Sequence, residues 1–355
     1  MLIKDNTLQS IVSRLSSDDI NLLLIAEGTE LDIEELIAEC NKQSLSIAGG
    51  IFPKIIYDEE ALDEGIIHKL VGFNQEYCLV EDMSAIDELP ELRTNIKSSI
   101  VLVDGLSPDI PNFLESLYDK YWNQISYVGG GAGSLTLEQK PCIFSNDGFY
   151  QNAALIVFND MKTQLGVKHG WEKIDGPFIA NKTEGNKVIE LNWRPAFEVY
   201  KEVVESNTDQ RFESSEFFDI AKGFPFGIFR EGQEDVVRDP ITVEDDGTLV
   251  CVGKVDNNTS LNILKGDNDK LIENASIASG QSMNAEMKDL LVTDCISRIL
   301  YLEDDFQNEL RAIKENLPGG SDHEVEGILS IGEISSGING YLEFYNKTIV
   351  VSTFS

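Results

Sequence analysis

The run Ser126-Tyr127-Val128-Gly129-Gly130-Gly131-Ala132-Gly133-Ser134 constrains this chain more than any other stretch. Four glycines fall within five residues, directly after an apolar, strand-like segment. Glycine has no Cβ, so another backbone or a ligand can approach closely, and positive φ values carry no steric cost. The run predicts a strand that ends in a glycine loop, with Gly130 and Gly131 as candidate ligand contacts. Two readings compete: backbone N–H groups facing a ligand, or tight packing of a strand end against its neighbour. A Walker A loop is excluded because no Lys-Ser/Thr follows. A dinucleotide fingerprint fits poorly, since Ser134 takes the third glycine position and Leu135-Thr136-Leu137 opens no evident helix.

The segments around the run alternate between strand and helix patterns. Residues 21–26 form a continuous apolar run of buried-strand length. Thr29 then caps a helix with Leu31, Ile33, Leu36, Ile37 and Cys40 at helical spacing. Residues 45–48 return as a strand and stop at Gly49-Gly50. Residues 66–72 and 76–80 read as paired strands around 73–75. A strand at 98–104 and a helix at 110–121 lead into the glycine run. Further on, hairpins turn at 184–186 and 245–247, and helices cover 269–278 and 304–316. A helix at 195–204 opens on Pro195, and strands at 326–334 and 341–353 close the chain. This is an α/β pattern with α+β character: two closely packed mixed-sheet domains with flanking helices. The expected division is an N-terminal helix over 1–20, then domains 21–206 and 207–355, with the polar segment 205–215 at the boundary. A short echo links Ser46-Ile47-Ala48-Gly49-Gly50-Ile51 to Leu329-Ser330-Ile331-Gly332-Glu333-Ile334, each following a helix.

Charge narrows the partners. Asp and Glu number 62 against 28 Lys and Arg, a formal net charge of -34. Such a surface repels phosphate backbones and anionic lipid, which argues against nucleic acid and membrane partners. Five widely spaced cysteines and three histidines show no CxxC or Cys/His pairing. That pattern implies neither a zinc site nor a disulfide framework, and it fits a reducing compartment. No apolar run nears the roughly 18 residues of a membrane span, and the N-terminus lacks the apolar core of a signal peptide. A cytoplasmic protein without metal or cofactor is expected.

The order of motifs resembles a known family. Gly129-Gly130-Gly131-Ala132-Gly133, Gly170-Trp171, Gly176-Pro177-Phe178, Glu184-Gly185-Asn186 and Arg194-Pro195-Ala196-Phe197-Glu198-Val199-Tyr200 are similar to the N-terminal FIST domain. Gly223-Phe224-Pro225-Phe226-Gly227, Arg238-Asp239-Pro240, Gly247, Cys295 with Arg298, Leu317-Pro318-Gly319 and Gly332-Glu333-Ile334 resemble the C-terminal FIST domain. The resemblance spans about 22–353. It implies a sensory domain pair that binds small ligands such as amino acids or their relatives. It also implies a separate signalling partner such as a chemoreceptor or histidine kinase, and this chain looks like a stand-alone version. Ser134 stands where an acidic residue is common, and Thr293-Asp294-Cys295-Ile296-Ser297-Arg298 keeps the Cys and Arg of the family motif without its Ala-Gly step.

Three site candidates follow. Arg298 and Glu333 form a recognition pair for an amino acid, the guanidinium forking onto a carboxylate and the Glu accepting from an ammonium. Their alternative is an internal Arg–Glu salt bridge or two solvated charges. Arg194, beside Trp193, is a second ligand contact or a structural arginine at a helix entry. Cys295 either joins the ligand pocket, serves as the nucleophile of a cysteine-dependent hydrolase or amidotransferase, or is buried and inert. A nucleophile there requires a base within hydrogen-bond reach. No residue is assigned a catalytic role in the sensory reading, and a ligand-free interaction scaffold is the remaining alternative.

Overall fold

A computed structural model describes all residues except 72–75, 87–88, 231–233, 318–322 and 337–340. The expected turn at 73–75 and the helix stop at 318–320 lie outside the described residues.

Eighteen strands form three six-stranded sheets of one pattern. The first sheet orders Leu2–Ile3, Ile66–Val71, Ile20–Ala26, Ser46–Phe52, Ile143–Ser145 and Gly148–Tyr150. The second orders Tyr77–Val80, Ala154–Asn159, Ser98–Asp104, Ser126–Ala132, Glu333–Ser336 and Leu342–Tyr345. The third orders Thr163–Lys168, Ile349–Phe354, Asp289–Cys295, Glu326–Ser330, Lys54–Tyr57 and Glu60–Leu62. In each sheet the third and fourth strands are parallel and every other pairing is antiparallel. The last two strands of each sheet are a hairpin lent by another sheet's chain segment. The hairpin 54–62 follows the first sheet's strand Ser46–Phe52 and pairs in the third sheet. The hairpin 143–150 follows the second sheet's Ser126–Ala132 and pairs in the first, and the paired strands Glu333–Ser336 and Leu342–Tyr345 leave the third sheet for the second. The molecule is thus a cyclic exchange among three related units. The sequence echo does not mark equivalent places in them: 46–51 lie within the strand Ser46–Phe52, whereas 329–334 span the end of Glu326–Ser330 and the start of Glu333–Ser336.

Each parallel pair needs a crossover, and a helix supplies it. Ile33–Lys42 covers the outer face of the first sheet with Leu36, Ile37 and Cys40. Ile110–Tyr121 covers the second with Phe113 and Leu117. Phe306–Glu315 and Asn268–Gln281 cover the third with Leu310, Ile313, Ala275 and Ala278. The inner faces meet in one core, including Leu22 and Leu24, Ile100 and Leu102, and Leu291 and Val350. Strands buried on both faces read as unbroken apolar runs, which is why 21–26 and 98–104 were legible.

A fourth sheet of eight strands is inserted between Thr163–Lys168 and Asp289–Cys295, and it wraps the helix Ala196–Ser206. Phe197, Tyr200, Phe212, Phe217 and Phe226 cluster there, with ring centroids 5.3–6.2 Å apart. Three local expectations change. Ile66–Val71 and Tyr77–Val80 belong to different sheets and do not pair. The first 20 residues hold a two-residue strand and the short helix Leu8–Val12, so the expected N-terminal helix covers only part of the segment. Asp32, whose side chain accepts from Glu35 N–H at 3.0 Å, caps the next helix in place of Thr29.

The glycine run is also different: it is the interior strand Ser126–Ala132, not a loop. Its glycines exist because the parallel pairs crowd together at the centre. Gly131 N–H donates to the Gly332 carbonyl and the Gly131 carbonyl accepts from Ile331 N–H, both at 2.8 Å. A Cβ at Gly131 would overlap the Ile331 carbonyl oxygen, and one at Gly130 would lie 2.9 Å from Ser330 Cβ and Thr293 Cγ2. Gly131→Ala should therefore lower stability in urea by more than about 3 kcal/mol, in the range of severe core overpacking. Gly280→Ala, in a helix with open space around it, should instead be neutral or stabilising by up to about 1 kcal/mol.

Candidate functional site

The strands Asp289–Cys295 and Glu326–Ser330 end side by side, with Cys295 opposite Ser330. The chain reverses at Gly332, whose φ is +93°, and Glu333 starts the strand that pairs with the glycine run opposite Gly130. Cys295, Ser330, Glu333, Gly130 and Gly131 therefore converge on one buried region. Ser330 Oγ donates to Glu333 Oε1 at 3.0 Å and Thr348 N–H donates to Oε2 at 3.2 Å. The Cys295 thiol lies beside the same carboxylate and favours its charged form. Burial pushes Glu333 up to about 8, in spite of these donors. Burial also raises the Cys295 thiol well above its ordinary range, and the Glu333 charge adds to that. The backbone N–H groups of Ser297 and Lys347 act in the opposite direction and are outweighed.

Arg298 lies on the helix Ile296–Leu302 that begins after Cys295, and it is completely buried. Its Nε and Nη2 fork onto Glu309 at 3.0 and 2.9 Å. Nη1 donates to the carbonyls of His169 (2.6 Å) and Lys347 (3.3 Å), and Nη2 to that of Leu271 (3.3 Å). Asp294 Oδ1 is 3.3 Å from Nε. A guanidinium has five N–H donors, and these contacts use all five. The expected Arg298–Glu333 recognition pair is therefore replaced by an internal Arg298–Glu309 ion pair, with no donor left for a ligand carboxylate. Burial alone would lower the Arg298 pKa; the Glu309 and Asp294 carboxylates more than offset it and hold it above its ordinary value.

A second buried cation stands beside this group. Lys347 has φ +52° in the turn before Ile349–Phe354. Its Nζ donates to the Lys222 carbonyl at 2.9 Å, lies 3.1 Å from Asp239 Oδ2, and sits 4.8 Å from the Trp171 ring centroid. Its carbonyl accepts from Trp171 Nε1 at 2.9 Å. Neither buried histidine offers Cys295 a base: the His169 ring faces Glu234 and Trp171 N–H, and the His68 ring meets Asn21.

Arg194 is elsewhere. It is exposed on the two-residue strand Arg194–Pro195 of the fourth sheet and forks onto Glu202 at 2.9 and 2.5 Å, as a structural arginine at a helix entry does. Sequence reasoning missed Asp294, Glu309, Lys347 and Asp239. Glu309 did leave a signal, because a carboxylate there interrupts the apolar stripe Phe306, Leu310, Ile313. It also missed an open cleft of about 400 Å³ on the outer side of the same short helix. Glu60, Ala61, Leu62, Ile299, Asp304 and Phe306 line this cleft among others.

The FIST N domain matches residues 22–194 and the FIST C domain residues 196–336, so the chain belongs to the FIST family. FIST domains are sensory domains of signal transduction. No curated protein matches the chain. Among the described residues no helix is long and apolar enough to cross a membrane.

Two measurements probe the buried cluster. Arg298→Ala leaves Glu309 and Asp294 buried without their cation and should cost about 3–5 kcal/mol in chemical denaturation. Glu333 contributes a pH dependence of definite sign. Its folded pKa lies near 8 against an ordinary 4.5, so the unfolded chain releases this proton first as pH rises. Stability linked to Glu333 is full below about 4.5 and is lost as pH climbs toward 8. The wild-type urea midpoint, measured relative to that of Glu333→Gln, should therefore fall between pH 5 and 8.

Proposed function

We propose that this protein is a soluble sensory component that binds a small polar metabolite, an amino acid or one of its relatives, and signals to a separate protein such as a chemoreceptor or histidine kinase. One observation carries the reading. The helix Ile296–Leu302 has two differently built faces: Arg298 and the preceding Cys295 sit in the buried charged cluster, while Ile299 lines the open cleft. A ligand in the cleft touches the helix whose other side holds Glu309, Glu333 and the turn at Lys347. Ligand binding would bias the position of that helix, which is the differential interaction a two-state sensor needs.

A cysteine-dependent hydrolase is the second reading, favoured by the Glu333 carboxylate within hydrogen-bond reach of the Cys295 thiol. Its difficulty is physical: the thiol is buried and its pKa is raised, so little thiolate forms. A thermal-shift screen of the full chain with amino acids, amines and other small metabolites tests the first reading. At least one class should raise the melting temperature, whereas a flat response across the panel would favour an interaction scaffold. Iodoacetamide labelling followed by peptide mass analysis separates the second. Cys295 should stay unmodified in the native protein and react in urea; rapid native modification at Cys295 would support the hydrolase.

A further inference from the structure

The three units allow the molecule to be compared with itself. Each exchanged hairpin packs against the crossover helix of the sheet it joins: 143–150 against Ile33–Lys42, 333–345 against Ile110–Tyr121, and 54–62 against Phe306–Glu315. The registers put Phe149, Phe344 and Ala61 at equivalent places, paired with Phe144, Ile334 and Ile56. Phe149 packs into the core under the first helix and Phe344 into the core under the second. The first junction is further closed by Asn146 Nδ2 on Asn41 Oδ1 (2.6 Å), and the second by Tyr118 and Tyr341, whose rings lie 5.9 Å apart. At the third junction the aromatic is an alanine, and there the roughly 400 Å³ cleft opens.

The lining of that cleft is selective. Its apolar part is Leu62, Ile299 and Phe306, and its rim carries Glu59, Glu60, Glu303 and Asp304. Glu59 is 3.4 Å from Arg311 Nε and Glu303 is 2.9 Å from Lys222 Nζ. Among the described residues the Glu60 and Asp304 side chains have neither hydrogen bond nor ion pair, and both residues are exposed. We infer that the cleft left by Ala61 is the ligand site and that it takes a protonated aliphatic amine, such as a diamine or polyamine. This rests on the small-ligand sensory reading and narrows it. An apolar wall accommodates methylene groups, while unpaired carboxylates at the rim attract ammonium groups. A free α-carboxylate is disfavoured, because Arg298 is fully engaged and the chain's charge of -34 repels anions.

Isothermal titration of the full chain with putrescine, cadaverine and spermidine, alongside glutamate and lysine, tests the inference. The amines should bind and glutamate should not. Ala61→Phe, which restores the residue type of the two sister hairpins, should weaken amine binding at least tenfold while keeping the unliganded melting temperature. The double variant Glu60→Gln, Asp304→Asn alters only exposed side chains, so it tests the site even where Ala61→Phe fails to fold. It should also weaken binding at least tenfold and flatten its salt dependence. Amine binding that survives both variants, or binding of glutamate instead of amines, would overturn this site or its ligand class and leave the sensory reading standing. Heat from none of these ligands would overturn the amine inference, and the broader metabolite screen would then decide the sensory reading separately.

Discussion

The buried guanidinium of Arg298 is the interaction on which the third unit depends. It joins five segments, near and distant in sequence: the strand end at Asp294, the helix bearing Glu309, the helix bearing Leu271, the entry to the inserted sheet at His169, and the turn at Lys347. Burying a charge is costly unless geometry and hydrogen bonding repay the desolvation, and here every donor is satisfied. The chain holds only 28 basic residues against 62 acidic ones, yet it commits several to the interior. Lys347 pairs with Asp239, and Lys69 meets Asp289 and Glu326 at 2.7 and 2.8 Å. Each ties strands from different segments together. In so acidic a protein these cations act as fasteners between units, and the exposed surface keeps the repulsion.

The three-unit exchange imposes its own constraint at the centre. Three parallel pairs whose second strands converge leave no room for side chains there, and glycine is the response. Gly131 packs against Gly105 and the Ile331 backbone, and Gly50 faces Ala132 Cβ of the neighbouring sheet. The position facing Gly130 is Glu333, that facing Gly50 is Ile143, and that facing Ile328 is Ile55. Two units put isoleucine where the third puts a carboxylate. That exchange has no packing advantage, since burial drives Glu333 up to about 8. The departure from symmetry singles out the third unit without reference to any ligand.

What could be read from the sequence follows from where the constraints lie. Buried parallel strands and amphipathic crossover helices declare themselves by local pattern, so 98–104 and 110–121 were found with nearly correct ends. Pairing partners do not. The neighbour of Glu326–Ser330 is Lys54–Tyr57, some 270 positions away, and no local pattern reports it. The glycine run signalled close approach correctly, but the approaching object is the Ile331 backbone, and this long-range contact made a strand look like a loop. Cys295, Glu333, Gly130 and Gly131 do meet. The fork expected of Arg298 exists, but it falls on Glu309 and not on a ligand, and that partner sits in an amphipathic helix where only the three-dimensional packing reveals it.

The cleft illustrates why a surface feature can leave almost no mark on a sequence. Ala61 is an ordinary residue in an ordinary hairpin and becomes informative only against Phe149 and Phe344. The same substitution of small for aromatic also places the opening over Ile299, one residue from Arg298. A seven-residue helix between a solvent-facing cleft and a fully paired charge cluster has few ways to move. Shifting it would strain the fork on Glu309 and the contacts made by the Lys347 carbonyl together. A rigid, saturated cluster of that kind favours two discrete arrangements over gradual deformation, because half-broken buried ion pairs are the least stable state available.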